Sequence, residues 1–78
     1  MAYRGLKDYQ NAIKDFTKAI ELNPNDSYAF CNRGITYSNI DSLDEALKDF
    51  DEALKLKPED VFVLNNKGLV HRKKLEED

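Results

Sequence analysis

The stretch that decides the fold is Phe30–Pro58, FCNRGITYSNIDSLDEALKDFDEALKLKP, because much of it occurs twice in the chain. Shifting the 78-residue sequence by 34 positions aligns twelve identical pairs. They fall mainly on small, apolar and turn-forming residues, among them Ala12/Ala46, Phe16/Phe50, Ala19/Ala53, Pro24/Pro58, Asp26/Asp60 and Gly34/Gly68. A fixed period of this length is typical of repeat proteins, in which each unit buries its apolar face against its neighbours.

Each period contains two amphipathic segments. Apolar residues recur every three or four positions, so we expect helices over residues 9–22, 27–40, 43–56 and 61–74, with a short N-terminal turn before them. Ser42 with Glu45 has the spacing of a capping box. Helix-capping aspartates are predicted at three further starts, and prolines follow two of the helices. These residues are Asp8, Asp26 and Asp60, and Pro24 and Pro58.

Two glycines lie in the middle of predicted helices, although glycine costs about 1 kcal/mol relative to alanine there. Gly34 and Gly68 are one period apart, which indicates close approach of a neighbouring helix. We therefore expect Gly34 to lie against Ala46. The charged residues of the second helix in each period, such as Asp49, Asp51 and Glu52, are predicted to form a solvated face.

Composition narrows the function. The chain is 41% hydrophobic and 35% charged, with a net charge of −3, so nucleic acid and anionic membrane surfaces are not expected partners. One cysteine, Cys31, cannot form an internal disulfide and favours a reducing compartment, from which we predict a cytoplasmic protein. The sequence contains no HExxH, no phosphate-binding glycine loop and no Ser/His/Asp set, and we predict neither enzymatic activity nor a cofactor.

The pattern resembles the tetratricopeptide repeat, a helix–turn–helix unit of 34 residues with the spacing W-x2-L-G-x2-Y, then A-x3-F and P. The residues that carry the likeness are Phe30, Arg33, Gly34 and Tyr37, followed by Ala46, Phe50, Ala53 and Pro58. The departures are Phe30 or Leu64 for the Trp, Arg33 or Lys67 for the Leu, and Asp41 for the turn glycine. The resemblance covers nearly the whole chain.

The resemblance implies an all-α fold, in which antiparallel helix pairs stack as a short right-handed superhelix (an α-α superhelix). Residues 1–78 would form one domain, with a partial repeat over 1–26, a full repeat over 27–60 and a partial repeat over 61–78. It also implies a protein–protein interaction module, because the first helix of each pair in this family lines a concave groove that binds a peptide or a partner helix.

Carrying the groove positions over to this sequence gives two equivalent sets on the predicted first helices. The partner-binding candidates are Tyr28, Cys31, Asn32, Ile35, Ser38 and Asn39 in one helix, and Phe62, Asn65, Asn66, Leu69, Arg72 and Lys73 in the next. Asparagine amides can pair with the donor and acceptor of an extended peptide, and apolar neighbours can take its side chains.

Several residues also have simpler interpretations. In one subset of the family, Lys and Asn residues of these helices clamp a carboxylate. Only the asparagines match here, so we favour generic repeat asparagines. His71, the one histidine, has no metal-binding partners in the pattern and is expected to pack or to be half-exposed. Cys31 is expected to be a solvent-facing or groove thiol. The basic run from His71 to Lys74 complements a helix dipole.

A second function stays open beside partner binding. The predicted terminal helices cover residues 9–22 and 61–74. The apolar stripe of each has no second helix from its own repeat to pack against. The two stripes are complementary, so the alternative is a structural unit that self-associates through these helices as a homo-oligomer.

Overall fold

The computed structural model describes residues 5–77, with the side chains of Leu6 and Glu77 left aside. This part of the chain is all-α. Its helices are α1 (Leu6–Leu22), α2 (Ser27–Asn39), α3 (Leu43–Leu56) and α4 (Val61–Glu77). The connections are short, so consecutive helices pack against each other as antiparallel hairpins, and α2 also touches α4. The predicted fold class is confirmed.

The predicted helix bounds hold within one residue for α2 and α3 and fall short for the outer helices. α1 begins at Leu6 rather than at residue 9, because Gly5 adopts φ 109° and its carbonyl accepts from the backbone N–H groups of Asp8 and Tyr9. The prediction of Asp8 as a cap is therefore wrong, since Asp8 lies within the first turn. α4 continues to Glu77 instead of ending at residue 74. The predicted N-terminal turn lies outside the described residues.

The aspartate caps that follow the prolines are confirmed. Asp26 Oδ1 accepts from the backbone N–H of Tyr28 and Ala29, at 3.1 and 3.2 Å. Asp60 Oδ1 does the same one repeat later, for Phe62 at 3.0 Å and Val63 at 3.4 Å. Each carboxylate satisfies amide groups that the first turn of a helix leaves without partners.

The capping box at Ser42 is wrong, because the Ser42 side chain makes no capping hydrogen bond. The turn between α2 and α3 is built by backbone instead. Asp41, which occupies the turn-glycine position of the repeat, has φ 67°, and the Ser42 N–H donates to the Tyr37 carbonyl at 2.9 Å. Aspartate tolerates this left-handed conformation better than most residues.

The core lies where α2, α3 and α4 meet. Its buried apolar residues are Cys31, Leu43, Ala46, Phe50, Ala53, Val63 and Val70, with Phe30, Ile35, Tyr37, Leu47 and Leu54 packed around them. Ala46, Phe50 and Ala53 are fully buried. The alternation of small and large side chains on α3 lets it approach α2 closely.

Gly34 lies against α3, as the spacing predicts. A Cβ at Gly34 would lie 2.7 Å from Phe50 Cε1 and 3.2 Å from the Ala46 carbonyl oxygen. Glycine at this position therefore leaves room for the aromatic ring of the neighbouring helix, and the gain in packing offsets the helix propensity that glycine costs.

The prediction that Asp49 belongs to a solvated face is wrong. The Asp49 side chain is only 4% exposed and forms a bidentate ion pair with Arg33, whose Nη1 also donates to Thr17 Oγ1 of α1. The Arg33 guanidinium lies 5.8 Å from the ring centroid of Phe30 and 6.0 Å from that of Tyr37. One side chain thus joins three helices at the position where the family has leucine.

Candidate partner-binding surface

Tyr28 of α2 and Phe62 of α4 lie one repeat apart, and both expose an aromatic side chain. Tyr28 is 72% exposed, and its counterpart Phe62 is 58% exposed. Leu69 is 61% exposed, whereas its counterpart Ile35 is half-buried. Tyr28 and Ile35 are seven residues apart in α2, as are Phe62 and Leu69 in α4, and this spacing places the two residues on one side of their helix. The two helices therefore present the same apolar stripe.

The candidate asparagines differ in exposure. Asn39 and Asn65 are exposed, and Asn32 and Asn66 are half-buried. The Asn66 side-chain Nδ2 donates to the Phe62 carbonyl of its own helix at 2.8 Å, which leaves Oδ1 as the atom that can accept from a ligand. Asn32, Asn66 and the apolar stripe share one side of each helix, in agreement with the spacing.

Cys31 does not belong to the accessible surface, and its prediction as a solvent-facing or groove thiol is wrong. The residue is 3% exposed and lies in the core cluster. Burial, with a smaller contribution from the negative charge of Asp60, raises the pKa of the Cys31 thiol. The thiol is therefore protonated and inert at neutral pH.

The predicted basic candidates at the end of α4 are held by carboxylates. Arg72 Nε lies 3.9 Å from Glu76 Oε2, and Lys73 Nζ lies 3.3 Å from Asp41 Oδ1. Lys74 pairs with Asp44 at the start of α3. The Lys73 and Lys74 contacts attach the last turns of α4 to the α2–α3 corner, whereas the Arg72–Glu76 contact lies within α4. Part of the positive charge is therefore already neutralised. His71 is exposed.

A second apolar surface lies on α4, on a side away from Phe62 and Leu69. It contains Leu64, which is 46% exposed, Gly68, exposed His71 and Leu75, which is 75% exposed. The spacing predicts the first three as one stripe. Leu75 was missed because the predicted helix ended one residue before it; the absence of any helix breaker up to Glu77 was the available signal.

Other kinds of site find no support in the part of the chain that the structure describes. Between residues 5 and 77, no His, Cys, Asp and Glu side chains cluster in a group of three that could hold a metal ion. None of the described helices has the length and apolar character needed to cross a bilayer.

The helix hairpins, the period and the Gly34–Phe50 contact define a helical-repeat protein. The tetratricopeptide repeat family matches residues 1–26 and 27–60, and the chain belongs to this family. Tetratricopeptide repeats are a non-catalytic fold that generally serves protein–protein interaction.

Among curated proteins, the chain is similar to serine/threonine-protein phosphatase 5 of Homo sapiens and of Rattus norvegicus. Each is 49% identical over 35 residues, which is 45% of this chain and 7% of the phosphatase. The matched segment spans about one repeat, so the similarity supports the repeat family and carries nothing about the phosphatase reaction.

Proposed function

We propose that this protein binds an extended or helical segment of a partner protein along the groove face, defined here as Tyr28 and Ile35 of α2 with Phe62 and Leu69 of α4. The observation that carries the proposal is the exposure of large apolar side chains at equivalent positions of successive first helices. Apolar side chains repeated in this way favour an elongated ligand that crosses both helices.

Polar groups beside the groove face can set the register of such a ligand. Asn32, Asn65 and Asn66 offer amide donors and acceptors that match a peptide backbone. Arg72 is exposed and contributes a cation near the end of α4. Asn39 and Lys73 complete the polar rim, whereas buried Cys31 takes no part.

Affinity should be modest. The groove face lies on only two helices, so its interface with a peptide is small, and small interfaces are weak. We therefore expect dissociation constants on the order of micromolar or above for a single peptide. Apolar anchoring, rather than any one surface charge, should dominate the free energy of binding, because exposed charges contribute little to affinity.

The test is selection of ligands from a display library of short random peptides, followed by titration of a selected peptide into isotope-labelled protein. Chemical-shift changes should map to α2 and α4 around the groove face. Replacing both Tyr28 and Phe62 by alanine should weaken binding at least about tenfold.

Leu22→Ala is the matched control, because Leu22 is 79% exposed at the end of α1, outside the groove face. That variant should bind the peptide as the unmodified chain does. Chemical-shift changes confined to α1 and α3, or binding that survives the double Tyr28 and Phe62 replacement, would refute the groove.

A further inference from the structure

The two equivalent glycines have different surroundings. Gly34 is covered by the Phe50 ring of α3, whereas nothing lies within 4 Å of the position that a Cβ would take at Gly68. Because the two residues occupy the same place in the repeat, α4 presents at Gly68 a site of the kind that α2 uses to receive an aromatic ring.

The residues around Gly68 form an exposed apolar surface, the docking face, made of Leu64, Gly68, His71 and Leu75. Leu64 and His71 are exposed, whereas their counterparts in α2, Phe30 and Tyr37, pack against the core. The docking face is thus the counterpart of the α2 surface that α3 covers.

The matching helix surface is present in the same molecule. α1 carries Ala12, Phe16 and Ala19 at the spacing of Ala46, Phe50 and Ala53. The three α3 residues are fully buried, whereas the three α1 residues remain partly exposed. α1 therefore has the small–large–small surface that fits a glycine-centred helix, and part of this surface still faces solvent.

Charge complementarity supports the same pairing independently. The Arg33–Asp49 ion pair joins α2 to α3, and the counterparts of these residues are Lys67 and Asp15. Asp15 is exposed. Placing α1 on α4 as α3 lies on α2 brings Asp15 next to Lys67.

The Lys67 side chain is already oriented for this role. Its Nζ lies 2.6 Å from Asp51 Oδ1, at the counterpart of the Arg33–Thr17 contact. Arg33 contacts the preceding helix through Thr17 and the following helix through Asp49 at the same time. Lys67 holds the first of these two contacts, and Asp15 supplies the second.

We propose that α1 of a second copy of this chain docks on the docking face, with its Phe16 ring over Gly68 and its Asp15 beside Lys67. The contact is head-to-tail, so it extends to an open chain unless a ring closes. It uses a side of α4 away from the groove face, and it neither requires nor excludes peptide binding there.

Sedimentation equilibrium or light scattering of the 78-residue chain tests the proposal, over a concentration range from about 20 µM to 1 mM, since small interfaces are weak. The mean mass should rise above the 9.0 kDa of one chain as concentration increases. A mass that stays at one chain over the whole range overturns the proposal.

Two variants locate the contact. Gly68→Gln fills the Gly68 site, and its Cβ would have nothing of the other helices within 4 Å, so the variant should fold and should lower the association constant at least about tenfold. Lys48→Gln, at an exposed position of α3 that belongs neither to the docking face nor to the groove face, is the control and should associate as the unmodified chain does. If Gly68→Gln associates unchanged, the docking face is not the contact.

Mixing two blocked chains tests the head-to-tail geometry. Phe16→Asp removes the α1 surface and Gly68→Gln removes the docking face, so each variant alone should be monomeric. Their mixture retains one competent pair of surfaces and should form a dimer of two different chains that grows no further. If Phe16→Asp fails to fold, exposed Asp15→Lys replaces it. A mixture that stays monomeric overturns the proposal. So does an unmodified chain that stops at a two-fold dimer, if Gly68→Gln leaves that dimer unchanged.

Discussion

Arg33 donates from Nε and Nη2 to the two carboxylate oxygens of Asp49, at 2.7 and 2.8 Å, and thereby joins α2 to α3 inside the repeat. The hydrogen bond to Asp49 raises the pKa of Arg33, in keeping with a cation held against a nearly buried anion. Such a pair is costly to break from one side, because the remaining charge stays in a poorly solvated place.

Arg33→Leu, which restores the residue type typical of the family, should therefore lower the free energy of unfolding by about 3 kcal/mol or more. Urea denaturation followed by circular dichroism measures this change. Replacing Arg33 and Asp49 together by leucine should recover most of the loss, because no charge is then left buried. A double variant as unstable as the sum of the two single variants would contradict this account.

The two glycines supply a second prediction with a built-in comparison. Gly34→Ala places a methyl group against the Phe50 ring and the Ala46 carbonyl, so it should lower the free energy of unfolding. The larger side chain of Gly34→Leu should lower it by about 1–3 kcal/mol or more. Gly68→Ala meets open space and should raise it by up to about 1 kcal/mol through helix propensity.

Thermal melts at a low micromolar protein concentration check both, since α4 is then free of any second copy. Destabilisation of similar size at the two positions would show that glycine is needed for the backbone rather than for the approach of α3.

The period predicts the fold because it specifies which surfaces must recur, but it does not predict burial at each position. Asp15 and Asp49 are equivalent in the repeat, yet Asp49 is buried in its ion pair with Arg33 of the preceding helix, whereas Asp15 is exposed. Cys31 and Asn65 are likewise equivalent, but only Cys31 lies in the core.

Burial is set by the neighbouring helix, which local spacing does not reveal. The same reason limits the candidate site. Helical periodicity places Tyr28 and Phe62 on equivalent stripes, and their exposure agrees with a surface role, whereas the ligand depends on chemistry that the repeat pattern does not specify.

Cys31 gives a prediction about reactivity. A thiol that is buried and has a raised pKa should react with iodoacetamide only after local or global opening. Labelling in native buffer at pH 8 should therefore be at least about a hundredfold slower than in denaturant, which corresponds to an opening free energy of about 2.7 kcal/mol. Mass spectrometry of quenched samples measures the rate. Rapid labelling of the folded chain would place the thiol at the surface.

The same thiol predicts a dependence of stability on pH. The unfolded thiol ionises near 9.0, whereas the folded thiol ionises at higher pH. The stabilising contribution is therefore present below pH 9 and is lost as pH rises through the folded pKa. Between pH 8 and 10, the unmodified chain should lose more stability than Cys31→Ala, which removes this group. Parallel losses in the two proteins would assign the alkaline effect to other groups.

The helix starts give the last prediction, because two of them look alike in sequence and differ in structure. Asp60 accepts hydrogen bonds from two backbone amides of α4, so Asp60→Ala should lower the free energy of unfolding by about 1 kcal/mol. Ser42 precedes α3 with no hydrogen bond from its side chain, and the turn there depends on Asp41 and on the Ser42 amide. Ser42→Ala keeps that amide, so its effect should stay below about 0.5 kcal/mol, as for ordinary surface substitutions. Urea denaturation of the two variants side by side decides the matter: a loss at Ser42 equal to that at Asp60 would mean that the serine hydroxyl caps α3 in solution.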